Sequence, residues 1–175
     1  MKRVLLIADS HGSIKEMENV LKKEKDVDIK INLGDSGAKE EWLNSNFDYY
    51  VVGNNDKIKQ GKKEIVIKIE NMSVALTHGD NYEASFKEMF KYKERVSRAK
   101  LIKLCRDIQA DAVFYGHSHI KDWTSTNAND NMKSYTIVNP GSFSYPRDQR
   151  QKTYAIVSIE KNEIKSVEFK IVEYF

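Results

Sequence analysis

Five short turns along this 175-residue chain carry side chains that can bind metal ions, and each turn directly follows an apolar run. All four histidines of the chain lie in these turns, together with carboxylates, carboxamides and glycines. The turns are Asp9-Ser10-His11-Gly12, Gly34-Asp35, Gly53-Asn54-Asn55-Asp56, His78-Gly79 and Gly116-His117-Ser118-His119. A donor set of imidazole, carboxylate and carboxamide without sulfur is typical of sites for Mn, Zn, Fe or Ni, rather than of the all-oxygen sites of Ca or Mg.

Taken one at a time, these motifs are also compatible with structural roles. The first turn could cap a helix through Ser10, the glycine turns contain ordinary turn dipeptides, and His78 alone could be a buried structural histidine. His117 and His119 carry more weight, because side chains two residues apart on an extended backbone point to the same side. Since the carboxyl ends of strands in an α/β sheet share one edge, where ligands usually bind, the five turns together predict one shared metal site.

The number of candidate ligands indicates two metal ions rather than one. Seven side chains are too many for one four-coordinate ion and suit two ions that share a bridging carboxylate. These side chains are Asp9, His11, Asp35, Asn54, His78, His117 and His119. Two ions about 3.5–4 Å apart can hold a bridging hydroxide, bind phosphoryl oxygens and stabilise the leaving oxygen of an in-line displacement. The sequence therefore predicts a site for two metal ions that is suited to chemistry at a phosphoryl group.

The apolar runs are predicted to be strands, and the segments between them supply helices. Residues 4–8 predict a strand that is buried on both faces, and the spacing of Ser13 and Glu16 predicts a capping box for a helix that begins near Ile14. A strand at residues 28–33, a helix at 38–44 and a strand at 47–52 follow. This alternation is typical of a parallel sheet with crossover helices.

The second half of the chain predicts mainly antiparallel strands. They fall at residues 63–70, 73–77, 111–115, 119–126, 134–138, 153–159 and 164–172, with a helical region at 83–109 and a hairpin tip at 127–131. No repeat, low-complexity tract or linker divides the sequence. We therefore expect residues 1–175 to form a single domain of the α/β class, with two sheets and flanking helices.

The composition is that of a globular protein and excludes several classes. Hydrophobic residues make up 40% of the chain and charged residues 31%, which argues against a disordered or a membrane protein. The apolar run at residues 4–8 is too short for a signal peptide, and no stretch approaches the ~20 apolar residues of a membrane span. A single cysteine, Cys105, excludes an internal disulfide and fits a reducing compartment. We expect a cytoplasmic protein that does not contact the membrane.

The segment at residues 86–106 is rich in lysine and arginine and carries two apolar stripes. The stripes are Tyr82, Phe86 and Phe90, and Leu101, Cys105 and Ile108. Two helices with core-facing stripes and solvated basic faces explain the pattern. The alternative is a cationic rim that attracts phosphorylated or polynucleotide substrates. With a net charge of only +3, the expected partner is a small phosphorylated substrate, nucleic acid is not favoured, and oligomerisation stays open.

The ordered set D-x-H, G-D, G-N-x-D, H-G and G-H-x-H, followed by Asn139-Pro140-Gly141-Ser142, resembles the calcineurin-like metallophosphoesterase superfamily. It is most similar to the small bacterial and archaeal phosphodiesterases of this superfamily, and it also resembles the retromer subunit of the same fold. The resemblance extends from Asp9 to Arg147. It implies a sandwich of two mixed sheets flanked by helices, in a four-layer α/β/β/α arrangement, with the turn at residues 139–142 behind the metal site.

The resemblance also implies a role for each ligand. One ion would be held by Asp9, His11 and His119, the other by Asn54, His78 and His117, with Asp35 as the bridge. The catalytic residues would be Asp9, Asn54 and Asn55. In this mechanism a bridging hydroxide attacks phosphorus while Asn54 and the ions stabilise the charge on the phosphoryl oxygens. Manganese is the expected metal, with Zn, Fe and Ni as alternatives.

Two positions depart from the pattern of the wider family. Many relatives carry a histidine where this chain has Asn55, whose amide can donate a hydrogen bond but cannot act as an acid. We therefore expect hydrolysis to favour small phosphodiesters with good leaving groups. Relatives also often carry a histidine in place of Asp80, which would either orient a ligand or serve as a turn residue. The alternative to a phosphodiesterase is a protein-interaction scaffold with little or no catalysis, as the retromer resemblance allows.

Overall fold

The structure, a computed structural model, describes residues 1–92, 95–126, 133–148 and 151–173. These residues form ten strands and four α-helices. The strands are β1 (Lys2–Ile7), β2 (Ile29–Asn32), β3 (Tyr49–Tyr50), β4 (Glu64–Ile69), β5 (Met72–Thr77), β6 (Ala112–Phe114), β7 (Lys121–Ser125), β8 (Thr136–Pro140), β9 (Thr153–Glu160) and β10 (Glu163–Ile171). The helices are α1 (Ile14–Lys23), α2 (Glu40–Asn46), α3 (Phe86–Tyr92) and α4 (Arg98–Asp107).

The strands form two five-stranded mixed sheets, which confirms the predicted fold class. The first sheet has the order β10-β9-β1-β2-β3, and the second has the order β4-β5-β6-β8-β7. In the first sheet β1 pairs in parallel with β2, and β2 with β3, while β9 and β10 are antiparallel. In the second sheet β5, β6 and β8 are parallel, and β4 and β7 are antiparallel.

Alternate side chains of the strands fill separate cores, which creates the predicted four layers. Leu6 of β1 lies in a core that also contains Leu76 of β5 and Phe114 of β6, so this core is sandwiched between the sheets. The neighbouring Ile7 faces the opposite way and packs with residues of α1 and α2. A third core joins the outer face of the second sheet to α4 through Leu101. The period-two alternation of strand side chains therefore sets the α/β/β/α order.

Several boundaries differ from those predicted. Helix α1 begins at Ile14 as expected, but Ser13 makes no side-chain capping bond, and its Oγ lies 2.9 Å from Ser144 Oγ instead. The predicted capping box is therefore wrong. Helix α2 begins two residues later than predicted, and the strand predicted at residues 47–52 contains only Tyr49 and Tyr50. The hairpin tip predicted at residues 127–131 lies outside the described residues.

The region predicted to be helical at residues 83–109 contains two short helices. An isolated antiparallel β-bridge pairs Glu83, which precedes α3, with Val96, which follows it. Helix α4 buries Leu101 and Cys105 as expected, but Ile108 at its end is 39% exposed, and Phe86 and Phe90 of α3 are about four-fifths exposed. The prediction of a core-facing stripe on α3 is therefore wrong, because none of its described residues is buried. Within the described ranges, no helix has the length and apolar character needed to cross a membrane.

Candidate metal centre

The turns that follow β1, β2 and β6 meet at one edge of the sandwich, held together by hydrogen bonds of their backbones. Asp9 N donates to Gly34 O at 3.1 Å, and His11 N donates to Asp35 O at 2.9 Å. The second sheet joins them where His117 N donates to Asp9 Oδ2 at 3.0 Å. The convergence predicted from the strand ends is therefore confirmed for these three turns.

The site residues adopt an unusual backbone conformation. Five of the seven candidate ligands have a positive φ between 44° and 62°. They are Asp9, His11, Asp35, His117 and His119. The left-handed region is uncommon for residues other than glycine. The expectation that His117 and His119 lie on extended backbone is therefore wrong: the strand predicted from residue 119 begins only at Lys121, and the two histidines are aimed by left-handed turns.

Two glycines allow the turns to approach one another closely. A Cβ on Gly34, which has φ +91°, would lie 2.8 Å from His78 Nδ1. A Cβ on Gly53 would overlap Asp35 Oδ1. Any side chain at these positions would displace His78 or Asp35, so the glycines are required by the packing of the site.

Two overlapping groups of side chains could each hold a metal ion. Within each group the ligand atoms lie within 4.8 Å of one another. The groups are Asp9, His11 and His119, and Asp9, Asp35 and His78. Asp9 belongs to both groups, and Asp35 Oδ2 of the second group lies 3.4 Å from His78 Nε2 and 4.0 Å from His11 Nε2 of the first. His117 is in neither group, but its ring centroid lies 5.1 Å from that of His78, and the centroids of His11 and His119 are 5.4 Å apart.

Several polar atoms at the centre of these groups are buried and have no hydrogen-bond partner in the part of the chain that the structure describes. They are Asp9 Oδ1, His11 Nε2 and His78 Nε2. Such atoms are costly to bury unless something else satisfies them. A divalent cation accepts lone pairs from carboxylate oxygen and imidazole nitrogen, so the residues present fit a metal centre.

The buried histidines present a defined nitrogen to the centre. His78 Nδ1 lies 2.8 Å from the carbonyl oxygen of Leu33, and His119 Nδ1 lies 2.6 Å from that of Tyr145. A carbonyl oxygen can only accept, so each Nδ1 carries a proton, and Nε2 is the nitrogen that can offer a lone pair to a metal ion. His119 Nε2 accordingly faces Asp9 Oδ1 at 3.2 Å.

The charges of Asp35 and His78 stabilise each other. Burial alone would raise the pKa of Asp35, but the His78 imidazole 3.4 Å away and two hydrogen bonds from Asn55 outweigh burial and hold this pKa well below its usual range. Burial alone would lower the pKa of His78, but Asp35 and Asp9 raise it to about 9. Because an imidazole must be neutral to bind a metal ion, an ion bound at His78 has to displace a proton near neutral pH.

The two asparagines of the third turn are both exposed. Asn55 donates twice to Asp35, from its backbone N at 2.8 Å and from Nδ2 at 2.6 Å. Asn55 therefore holds a carboxylate of the centre. Asp80 forms an ion pair with Lys63 at 2.7 Å.

The turn at residues 139–142 supports the centre from behind, as predicted. Asn139 Nδ2 donates to the carbonyl oxygen of Gly116 at 2.8 Å, and Ser142 Oγ donates to that of Asp9 at 3.1 Å. Glu83, which the sequence analysis did not include in the site, has Oε1 at 3.1 Å from His117 Nε2. No motif marks Glu83, because it lies in a segment whose pattern resembles an ordinary charged helix.

The chain has clear relatives among proteins of known sequence. It is 29% identical over 169 residues to the probable metallophosphoesterase YsnB of Bacillus subtilis, an alignment that covers 95% of this chain and 89% of that protein. Among solved structures, a conserved uncharacterized protein of Streptococcus pneumoniae, a predicted phosphoesterase, is 25% identical with a TM-score of 0.76. That alignment covers 97% of this chain and 89% of the other.

Two more distant structures share the fold. Vps29 of Entamoeba histolytica, crystallised with Zn, is 20% identical with a TM-score of 0.67, and the alignment covers 96% of this chain and 97% of Vps29. An archaeal phosphodiesterase is 18% identical with a TM-score of 0.65, with coverage of 97% and 99%. The family model of the calcineurin-like phosphoesterase superfamily domain matches residues 1–162. With the conserved fold and this match over most of its length, the chain belongs to the calcineurin-like phosphoesterase superfamily.

Proposed function

We propose that this protein is a metal-dependent phosphodiesterase that hydrolyses small phosphodiesters with two divalent metal ions. The observation that carries the proposal is the pair of overlapping ligand groups that share Asp9 and contain buried, unpartnered atoms. A protein that used this fold only as a scaffold would have no need to bury such atoms. Manganese is the metal we expect, with Zn, Fe or Ni as alternatives, because imidazole and carboxylate suit all four.

The ring pairs support the division of ligands between the ions. Asp9, His11 and His119 would hold one ion. His78, His117 and the Asn54 carboxamide would hold the second. Asp35 is the proposed bridge because its Oδ2 lies near both His11 and His78. When bound, two such cations supply Lewis acidity toward phosphoryl oxygens and a water nucleophile that is active near neutral pH.

The two asparagines of the site would position Asp35 and stabilise charge on the substrate. Asn55 keeps Asp35 ionised and fixes its orientation through two hydrogen bonds. Exposed Asn54 is free to donate to a phosphoryl oxygen of the substrate, which would stabilise the charge that develops there. Because Asn55 has replaced an imidazole acid and faces Asp35, the leaving alcohol must depart without a proton from this position. This arrangement favours diesters of acidic alcohols such as phenols.

A small phosphorylated molecule is the substrate class we propose. A cleft of about 750 Å³ lies beside the site, lined by Asn55 and by residues such as Lys39 and Lys57. Two of the eight basic side chains of residues 86–106 form ion pairs, Arg98 with Asp122 and Lys103 with Asp107. Because the net charge of the chain is only +3, we do not favour nucleic acid or a membrane as a partner. We propose that the protein is a single domain located in the cytoplasm. Hydrolysis at this site does not require oligomerisation.

The experiment is a test of Mn-dependent turnover of an aryl phosphodiester by the purified protein. We expect hydrolysis that needs Mn and that His117→Ala reduces at least 100-fold without loss of folding, as checked by circular dichroism. Glu163→Ala, on the β9–β10 hairpin, serves as the control and should retain activity. A screen of cyclic nucleotides, dinucleotides, phospholipid head groups and simple monoesters would then identify the substrate.

A protein-interaction scaffold is the second candidate. Two observations favour it: the fold is shared with Vps29, and Phe86 and Phe90 stack at 5.6 Å on an exposed face of α3. The same assay separates the two functions. Mn binding without turnover of any diester or monoester would contradict the phosphodiesterase and favour the scaffold.

A further inference from the structure

Glu83 makes a contact with the metal centre that the seven-ligand set does not include. Its Oε1 lies 3.1 Å from His117 Nε2. The Glu83 side chain is 64% exposed, whereas the His117 side chain is only 11% exposed. An ionised carboxylate can only accept a hydrogen bond, so in this contact the proton is on Nε2 of His117. The lone pair of His117 is then on Nδ1.

This arrangement is the reverse of that at the other two buried histidines. His78 and His119 donate from Nδ1 to backbone carbonyls, so Nε2 is the nitrogen that faces Asp9. Those carbonyl partners are parts of the folded backbone. Among the described residues, the outer partner of His117 is instead a side chain from another segment, which makes this histidine the one whose proton position depends on a replaceable group.

The backbone brings Glu83 to this position independently of its carboxylate. Glu83 forms a bridge with Val96, and the neighbouring Ala84 N donates to Arg95 O at 2.8 Å. Lys100 Nζ donates to the main-chain oxygen of Glu83 at 2.8 Å. None of these contacts uses the carboxylate, so replacing it should leave the path of the segment unchanged.

We propose that Glu83 is a positioning residue that holds His117 as the Nε2–H tautomer and orients its ring, so that Nδ1 is presented to the second metal ion. The inference rests on the proposed function for that ion. A carboxylate that accepts from the outer nitrogen of a metal-binding histidine fixes the tautomer and raises ligand basicity, and its loss typically weakens metal binding 10–100-fold. Because Glu83 is exposed, we expect a loss of about tenfold, at the low end of that range.

The first arm of the test needs neither metal nor substrate. Two-bond ¹H–¹⁵N correlations of the imidazoles in the metal-free protein at pH 8 report which nitrogen carries the proton. We expect His117 as the Nε2–H tautomer and His119 as the Nδ1–H tautomer. Finding His117 as Nδ1–H in the unaltered protein would overturn the inference, whether or not the protein is a hydrolase.

The second arm measures Mn affinity by isothermal titration for Glu83→Ala and Glu83→Gln. Glu163→Ala is the matched control, since the Glu163 side chain is 65% exposed and forms an ion pair with Lys165, and neither residue is a candidate ligand. We expect Glu83→Ala to weaken one of the two ions about tenfold. Glu83→Gln should recover most of the affinity, because its amide oxygen still accepts from Nε2–H. The control should bind as the unaltered protein does.

The two arms separate failure of the inference from failure of the proposed function. Unchanged affinity for both ions in Glu83→Ala would overturn the positioning role while leaving the metal centre intact. Complete loss of the ion in both Glu83 variants would also overturn it, because Glu83 would then be a direct ligand. If the unaltered protein bound no Mn at all, the proposed function itself would fail, even with the expected tautomer.

Discussion

Several candidate ligands of the metal centre are held in a backbone conformation that is uncommon for residues other than glycine. For L-residues the left-handed region costs roughly 1–2 kcal/mol per residue, and Asp9, Asp35 and His119 all occupy it. Such conformations persist only when the surrounding structure enforces them, and they cluster at functional sites. Here they turn each ligand sharply off the end of its strand, so that several side chains can face one point.

At position 119, a glycine variant should be more stable than an alanine variant, which is the reverse of the usual order of stability. We expect His119→Gly to be more stable than His119→Ala by about 1 kcal/mol in the metal-free protein, because glycine adopts φ 61° without steric cost while alanine does not. Both variants lose the same imidazole, so the comparison isolates the backbone. The free energy of unfolding from urea titrations would measure the difference.

A matched pair at Val157 gives the control. This residue is fully buried in the regular strand β9, where alanine should be more stable than glycine. A His119→Ala variant that proved more stable than His119→Gly would show that the left-handed conformation carries no cost there.

At the scale of elements, helix α1 is attached to the first sheet by a buried polar cluster at its C-terminal end. Glu24 accepts a hydrogen bond from Tyr154 of β9 at 2.8 Å and one from Lys170 of β10 at 2.9 Å. Burial alone would raise the pKa of Glu24, but these partners outweigh burial and lower it. The helix follows the first metal-binding turn, so the cluster helps to hold that turn in place.

The lowered pKa of Glu24 predicts a pH-dependent contribution to stability. A carboxyl group whose pKa is lower in the folded state stabilises the protein above its unfolded pKa of about 4.3, and that stabilisation is lost as the pH falls through the folded value. We expect Glu24→Gln to reduce the free energy of unfolding by about 2 kcal/mol at pH 7, a typical value for charged hydrogen bonds. The difference should narrow below about pH 4.

Urea titrations between pH 3 and pH 7 would measure this dependence. Glu173→Gln is the control, because Glu173 is 55% exposed and pairs with Lys23 of the same helix. An exposed pair of this kind contributes about 0–1 kcal/mol. A constant effect of Glu24→Gln across the pH range would contradict the role assigned to its charge.

For the whole molecule, the metal centre lies where the two sheets meet. Asp9 and Asp35 follow strands of the first sheet, and His78 and His117 follow strands of the second. His78 Nδ1 already donates across the interface to the carbonyl oxygen of Leu33. Ions that bind residues from both sheets would therefore stabilise the folded sandwich, and not only the turns.

Metal binding should raise the stability of the whole protein. At a free Mn concentration 100 times the dissociation constant, each ion bound only by the folded state adds about 2.7 kcal/mol to the free energy of unfolding. We expect a chelator to remove this gain in the free energy of unfolding. The His119→Gly variant should lack the share of the gain that one of the two ions provides. Chemical unfolding with and without Mn would measure it. Equal stability in both conditions would contradict a metal centre that joins the sheets.

The sequence by itself determined the types of the candidate ligands, their order and the strand ends that carry them, because a polar turn after each apolar run follows from local chemistry and from the two-residue period of strands. It also determined the fold class. Only the tertiary structure decided how these side chains are aimed: the left-handed turns at His117 and His119, the hydrogen bonds of Asn55 to Asp35 and the contact of Glu83 with His117. These features depend on contacts between residues far apart in the chain, such as Asn55 with Asp35, and no local pattern encodes them. The exposed face of α3 was mispredicted for the same reason, since an apolar helical period does not reveal whether another element covers it.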